Sequence, residues 1–435
     1  MPSRLLDDLI DWLRIPSIST GGGDPADLER AAAWVVERVN AAGGEARVVA
    51  TTGNPLAIGE LRASRPEAPT VLAYGHYDVQ SIGDADAWHS PPFEPTVRDG
   101  RLYARGAADD KGNFLPLLHV ACELAAAGTL PVNVRVVVEG EEEAGGEAVA
   151  DWVRADTRGA DCALVFDSGM VDERTPAITV GLRGAAHVNV TVRSADRDLH
   201  SGVYGGSSLN AIHVLHGMLA AVLPGPDGRL REELRVGIVP PSEAELASWE
   251  RLPPGDEFLA AAGARPVHPG AGAEYYLRNG ADASLDVNYI SAGEPRTVVP
   301  AVAHAAISQR LAPGQDYTAT LATLERLLRD AAPPGADVEI AAYGGGPSLF
   351  PTDTPAVALA AQALERAVGA PAAFVRSGGS IPVVAEFAAR GIPTVVSGFS
   401  LEEDAYHAPN ESFRLVALEQ GEAAARELYQ AFAAL

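Results

Sequence analysis

The stretch Val132-Asn133-Val134-Arg135-Val136-Val137-Val138-Glu139-Gly140-Glu141-Glu142-Glu143 decides the architecture. Five valines in the seven positions 132–138 form an almost continuous apolar run, the pattern of a strand buried on both faces. An acidic cluster follows it immediately. The same grammar recurs on either side. Thr70-Val71-Leu72-Ala73-Tyr74 runs into Gly75-His76-Tyr77-Asp78, Cys162-Ala163-Leu164-Val165-Phe166 runs into Asp167, and residues 393–397 lead to Glu402, Glu403, Asp404 and His407. Between these runs, residues 113–127 and 147–154 carry helical periodicity. Two further helices precede them: Leu5, Leu6, Leu9, Ile10 and Leu13 recur at helical spacing, and Asp24-Pro25 opens a second helix that Gly43-Gly44 ends. Strand alternating with helix predicts an α/β domain with a mixed, largely parallel sheet flanked by helices.

The pattern changes near Gly181. Residues 187–192 alternate polar and apolar, which suits a sheet with one wet face. A helix is expected over 210–222, loops and short helices over 223–280, strands over 284–290, 303–311 and 338–342, and a helix over 318–331. This block reads as an inserted α+β domain, with Gly344-Gly345-Gly346 as a hinge back. The α/β rhythm then resumes through helices 354–368 and 381–389, strand 393–397 and a helix from Leu415. The expected organisation is a first domain built from 1–182 and 346–435, with 183–345 inserted between its two parts.

Composition bounds the function. The length of 435 residues suits two or three domains at about 150 residues each. With 47% hydrophobic and 21% charged residues, the chain is globular rather than disordered. A formal charge of −25 argues against nucleic acid or an anionic membrane as partner. No apolar run approaches the ~18 residues of a membrane span, and the first residues lack signal-peptide character. Two cysteines, Cys122 and Cys162, both in apolar segments, exclude a disulfide scaffold, so a reducing cytoplasm is the expected location.

In an open parallel sheet, sites form beyond the carboxyl ends of the strands, so the polar groups at the four strand ends are expected to converge. Asp109-Asp110, just before a helix, adds a fifth group. Imidazoles and carboxylates without thiolate suit zinc, manganese or cobalt. Clustered carboxylates repel one another unless cations neutralise them. Taken singly, each group has a mundane reading: a chance His-x-Asp pair, a solvated acidic turn, a helix cap at Asp109-Asp110, a turn opened by Asp167. Their joint occurrence at strand ends favours a metal centre.

Longer motifs sharpen this. Gly75-His76-Tyr77-Asp78-Val79-Gln80, Trp88, Pro92-Phe93-Glu94-Pro95, Asp99-Gly100-Arg101-Leu102-Tyr103-Ala104-Arg105-Gly106 and Asp109-Asp110-Lys111-Gly112 come first. Glu142-Glu143-Ala144-Gly145, Gly181-Leu182-Arg183-Gly184 and Asp198-Leu199-His200-Ser201-Gly202-Val203-Tyr204-Gly205-Gly206 follow. Thr297-Val298-Val299-Pro300, Gly378-Gly379-Ser380-Ile381-Pro382 and His407-Ala408-Pro409-Asn410-Glu411 complete the series. In this order and over most of the chain, the sequence resembles the M20 metallopeptidases, and within them the carnosinase-like cytosolic dipeptidases.

The resemblance implies two divalent metal ions per subunit, Zn²⁺ first and Mn²⁺ or Co²⁺ as alternatives. His76 and Asp167 would hold one and Glu143 and His407 the other, with Asp109 bridging. Asp78 would orient His76. Glu142 would be the general base for a metal-bound hydroxide, its register set by the glycine two residues beyond the Glu142-Glu143 pair. The inserted domain would serve as lid and dimerisation domain of a homodimer, with His200 reaching the partner subunit's site to stabilise an oxyanion. Arg310 would capture the substrate carboxylate, with Asn210 and Ser380 as further substrate-binding candidates. Ser377 stands where the dipeptidases commonly carry Glu, and Tyr289 where Gly is usual; both bear on substrate preference. The implied activity is hydrolysis of dipeptides or similar small amino-acid amides. N-acyl amino acid amidohydrolysis is the alternative, and a non-catalytic scaffold that kept the fold is the more distant one. The remaining histidines read as structural or solvated.

Overall fold

The computed structural model describes residues 4–379 and 381–435. They form two compact units. The first runs to Val180 and is completed by Phe350–Phe374 and Pro382–Leu435; the second comprises Gly181–Leu349 and Val375–Ile381. The sequence reading assigns all of 346–435 to the first domain, whereas the stretch Val375–Ile381 goes with the second. Arg376 explains the difference. Its buried guanidinium donates to Glu245 at 2.5 Å and 3.2 Å, and to the carbonyls of Val239 at 2.8 Å and Pro240 at 3.1 Å, all within the second unit.

In the first unit, Asn133–Glu139, Thr70–His76, Cys162–Phe166 and Thr394–Ser397 lie side by side as parallel strands. Antiparallel strands Leu56–Leu61 and Glu45–Val49 extend one edge, and Ala177–Leu182 the other. The sheet is mixed with a parallel centre, as expected. Its central strands are buried along nearly their whole length. Helices cover both faces. Tyr74 meets Phe387 of helix Pro382–Ala389 edge-on at 6.0 Å, while the adjacent Gly75, pointing the other way, lies against Phe114 of helix Lys111–Ala126. Trp12 of helix Arg4–Leu13 stacks on Trp34 of helix Pro25–Ala41 at 5.0 Å and closes that side. Asp24 caps the second of these helices ahead of Pro25, by accepting from the Ala26 amide.

Four antiparallel strands form the sheet of the second unit, in the order Ser284–Ala292, Val302–Leu311, Gly184–Arg193 and Asp337–Gly345. Val188, Val190 and Val192 alternate inward with Ala303, Ala305 and Ile307, and helices Ala211–Ala220 and Tyr317–Asp330 supply Leu215, Met218, Leu324 and Leu328 to the same core. Gly344 and Gly345 pair in the ladder with Ala186 and Ala185, and a Cβ at Gly344 would sit 1.9 Å from the Ala185 carbonyl oxygen, so glycine is there for close strand approach. Among the described residues no helix is long and apolar enough to cross a membrane.

Candidate metal centre

The parallel strands deliver their polar ends to one edge of the first unit's sheet. His76 is the last residue of its strand and pairs in register with Glu139; Asp167 directly follows Phe166. Asp109 arrives on the turn before helix Lys111–Ala126, and His407 on the loop after strand Thr394–Ser397.

Asp109 is the centre of the arrangement. Its Oδ1 lies 3.0 Å from His76 Nε2 and its Oδ2 2.9 Å from His407 Nε2. His407 Nε2 is also 3.1 Å from Glu143 Oε2. Two groups of donor atoms result, His76–Asp109–Asp167 and Asp109–Glu143–His407, each within 4.8 Å. Asp109 belongs to both. His76 Nδ1 faces the Asp78 carbonyl at 3.0 Å and its carboxylate at 3.3 Å, so the ring is fixed with Nε2 toward Asp109. Asp78 is itself held, accepting from Ser19 Oγ at 2.5 Å and the Glu143 amide at 3.2 Å.

Charge in this pocket is crowded. Burial pushes Glu142 up to about 9 against the pull of His76, and the Asp167, Asp109 and Glu143 carboxylates add to it. Asp167 is pushed up to about 7 by burial against the pull of His76, and the Asp109 and Glu143 carboxylates add to the rise. Burial pushes Glu139 up to about 8, although Tyr74 Oη donates to it at 2.5 Å and pulls the other way. The histidines go the same way for a different reason. Hydrogen bonds to Asp109 and Glu143 raise His407 to about 10. Burial opposes the His76 imidazolium, yet its bonds to Asp109 and Asp78 hold it well above the usual range. Asp109 is buried too, but the two imidazoles keep it well below the usual carboxylate range. Divalent cations at these donors would take over the compensation that protons on Glu142, Asp167 and the two imidazoles otherwise supply. The donors are oxygen and nitrogen only, and one carboxylate is shared between the two groups, so the residues fit a pair of divalent cations.

Several supporting residues carried no assigned role in the sequence. Gln80 Nε2 donates to Glu143 Oε2 at 2.9 Å. Buried Glu411 accepts from Arg105 Nη1 at 2.7 Å and from the amides of Gly106, Ala108 and Asp109 at 2.9, 2.8 and 3.1 Å, which fastens the loop bearing Asp109. Asn113 donates to the Ala108 carbonyl at 2.9 Å and Ser400 Oγ at 2.7 Å, and accepts from the Phe399 amide at 2.8 Å. Gln80, Arg105 and Glu411 were visible only as members of quoted motifs, and Asn113 only as the start of a helical stretch. Asp110 occupies the N-cap position of helix Lys111–Ala126 but makes no side-chain cap bond; it turns to the His76 amide at 3.2 Å instead, contrary to the helix-cap reading. His119 lies near Glu123 and Glu422 on the helix surface. There Arg426 already lies 3.0 Å from Glu123 and 3.4 Å from Glu422.

His200, Asn210 and Arg310 lie in the second unit. His200 is exposed and accepts from the Gly202 amide at 3.1 Å, as the cap of the short helix Ser201–Tyr204. Asn210 caps helix Ala211–Ala220, accepting from the amides of Ile212 at 2.9 Å and His213 at 3.4 Å. Arg310 is half-buried on strand Val302–Leu311. Ser380 lies outside the described residues.

Comparison with known proteins places this geometry in a family. The human Beta-Ala-His dipeptidase is 34% identical over 203 residues, 46% of this chain but only 40% of that protein's length. The cysteinylglycine-S-conjugate dipeptidase of Corynebacterium striatum is 29% identical over 392 residues, 84% of this chain and 83% of that one. The M20 family metallo-carboxypeptidase Sso-CP2 from Sulfolobus solfataricus superposes with a TM-score of 0.86 over the full length of both chains at 24% identity, a likeness of fold. The family model for peptidase family M20/M25/M40 matches residues 72–431, from the His76 strand to the last helix, and the chain belongs to that family.

Proposed function

We propose that this protein is a two-metal hydrolase that cleaves the amide bond of dipeptides or closely similar amino-acid amides. The observation that carries the reading is the sharing of Asp109 between two donor groups, with His76 and Asp167 on one side and Glu143 and His407 on the other. Bound there, divalent cations would polarise the scissile carbonyl and make water acidic enough to attack at neutral pH. The chain's own residues supply the rest. Glu142 stands among these ligands as a carboxylate with no ligand role of its own. Cations in place of protons would lower its affinity for a proton, leaving it free to take one from water and return it to the departing amine. Asp78 holds His76 in the ligating tautomer. His200 is assigned to oxyanion stabilisation across a homodimer, Arg310 to the substrate carboxylate, and Asn210 and Ser380 to substrate contacts. Zn²⁺ is the first choice of metal, with Mn²⁺ or Co²⁺ as alternatives, and the cytoplasm is the assigned location.

Dipeptidase names among the relatives support the substrate class. The test is a panel of dipeptides against N-acetyl and N-succinyl amino acids. It is run after chelation and re-addition of each metal, with metal content measured in parallel. Hydrolysis of dipeptides that returns with metal is expected. Activity confined to the acyl compounds would replace this reading with an acyl-amino-acid amidohydrolase, and no bound metal would remove both.

A further inference from the structure

Away from the Asp109 centre, one other place among the described residues brings an imidazole and two carboxylates together. His119, Glu123 and Glu422 each offer a donor atom, all within 4.8 Å of one another. His119 and Glu123 stand one turn apart on helix Lys111–Ala126, so their side chains share a face. Glu422 comes from helix Leu415–Phe432, which packs alongside: its Gly421 lies against Pro116, and its Tyr429 Oη donates to the Leu117 carbonyl at 3.0 Å. His119 Nδ1 faces Asp8 Oδ2 at 3.5 Å, and Asp8 in turn pairs with Arg38 Nη1 at 2.8 Å. A carboxylate on one ring nitrogen fixes the other as the ligand.

The donor set fits zinc. One imidazole and two carboxylates are three of the four ligands of a tetrahedral site, with water as the fourth. Zinc–ligand bonds of about 2.0–2.2 Å put donor atoms about 3.4 Å apart, so these three must close by about 1.4 Å at most. The glutamates can supply that movement by rotation, since the side chains of Glu123 and Glu422 are 50% and 32% exposed. The same three residues line a cavity of about 420 Å³, which gives the ion and its water a path. Cys122 lines it too but is no ligand: burial pushes its thiol up to about 12, and it faces the Arg38 carbonyl at 3.7 Å.

Arg426 is the competing cation. Its Nη2 lies 3.0 Å from Glu123 Oε2 and 3.4 Å from Glu422 Oε1, so one guanidinium joins both carboxylates. Its side chain is 42% exposed, and ion pairs this open contribute little and are screened by salt. A divalent ion that bonds the same oxygens and also gains an imidazole outcompetes such a pair. We propose that His119, Glu123 and Glu422 form a zinc site separate from the Asp109 centre, tying the helix that follows the Asp109 turn to the C-terminal helix, with Arg426 taking the carboxylates when zinc is scarce. The site lies wholly within the first unit and is independent of the hydrolase reading.

The test compares zinc content of the full-length chain and its variants, stripped with EDTA and dialysed against micromolar Zn²⁺. His119→Gln is expected to hold one zinc ion fewer per chain than wild type, with the ions of the Asp109 centre unaffected. In calorimetric titrations with Zn²⁺, Glu422→Gln should weaken the same binding step about tenfold or more. Arg426→Gln should strengthen that step, because the competing guanidinium is gone, and a misfolded protein does not imitate a gain. Equal zinc content in wild type and His119→Gln, or zinc binding no stronger in Arg426→Gln than in wild type, would overturn the site. Loss of one ion in His119→Gln from a protein that hydrolyses no dipeptide would keep the zinc site and remove only the hydrolase reading.

Discussion

Glu411 offers the sharpest test of how the centre is held. Its Oε2 accepts from Arg105 Nη1 at 2.7 Å and the Gly106 amide at 2.9 Å; its Oε1 accepts from the amides of Ala108 at 2.8 Å and Asp109 at 3.1 Å. All four donors meet a fully buried carboxylate. Glu411→Gln keeps the shape but can satisfy only one of these pairs. Its amide nitrogen must face the other two donors, either Arg105 Nη1 and the Gly106 amide or the amides of Ala108 and Asp109. Two unsatisfied buried donors at about 1–3 kcal/mol each, together with a broken buried ion pair at roughly 3–5 kcal/mol, overlap rather than add, so a loss of about 3–5 kcal/mol is expected. Against a typical total of about 5–15 kcal/mol that is a large fraction. Tryptophan fluorescence in a urea titration reads the effect in the first unit, which holds four of the five tryptophans, among them the stacked Trp12 and Trp34. Metal affinity should fall in parallel, because the Asp109 backbone loses its anchor. Stability of the Glu411→Gln protein within about 1 kcal/mol of wild type, with unchanged metal content, would refute this account of the loop.

Other outcomes follow from the same geometry. Glu142→Ala should lower kcat by about 10²–10⁴-fold while metal content stays at the wild-type level; undiminished turnover would remove Glu142 as the base. In the metal-free protein, Glu142 at about 9, Asp167 at about 7 and His407 at about 10 lie above their unfolded values, and His76 is raised as well. Each of these groups prefers its proton in the fold, so its contribution is complete below its unfolded pKa and is lost as pH rises toward the folded one. Asp109, depressed in the fold, acts in the opposite sense, but only in strong acid. The gap in melting temperature between metal-loaded and EDTA-treated protein should therefore widen from about pH 6 to pH 9, and a constant gap measured by calorimetry would contradict the charge assignment. Asn210→Ala should cost about 1 kcal/mol of stability through loss of the helix cap, whereas Asn210→Ser keeps a capping oxygen; a raised KM with unchanged stability in the Ser variant would mark a substrate contact, and an unchanged KM a cap alone.

What the sequence made legible is what local patterning controls. The run Val134–Val138 and the five-residue stretch Cys162–Phe166 could only be buried strands, and the polar groups after them had to reach the same edge once those strands were parallel. The flanking strands are not legible in the same way. Glu45–Val49 is an exposed edge strand with charged residues, and Leu56–Leu61 is broken by Gly59 and carries Glu60, so neither shows a clear period of two or an apolar run. Residues 177–182 escape notice because a short apolar stretch with a glycine does not announce its partner; here tertiary pairing decides. The same limit applies to Glu411 and Asn113. A buried carboxylate that accepts four bonds from a loop some 300 residues away leaves no periodicity, and only the fold supplies its donors.

The left-handed backbone of His407 shows why that long-range support matters. His407 has φ of 60° and Ala405 a φ of 55°, a region in which non-glycine residues cost about 1 kcal/mol or more each. The conformation turns the His407 ring toward Asp109 and Glu143, and the surrounding loop is clamped to hold it. Buried Asp404, engaged by Arg101, accepts the Leu401 amide at 2.7 Å; Asn410 donates to the Ala87 carbonyl and accepts the His89 amide, both at 2.8 Å; Glu411 then ties the loop's end to the Asp109 turn. The two histidines thus reach the shared carboxylate by different means. His76 is placed by a strand whose register with Glu139 is fixed along its length, and His407 by a strained loop with hydrogen bonds at both ends. As a ligand set, these groups would be positioned before any cation arrives, and the repulsion among their carboxylates would become binding energy for the cation that relieves it.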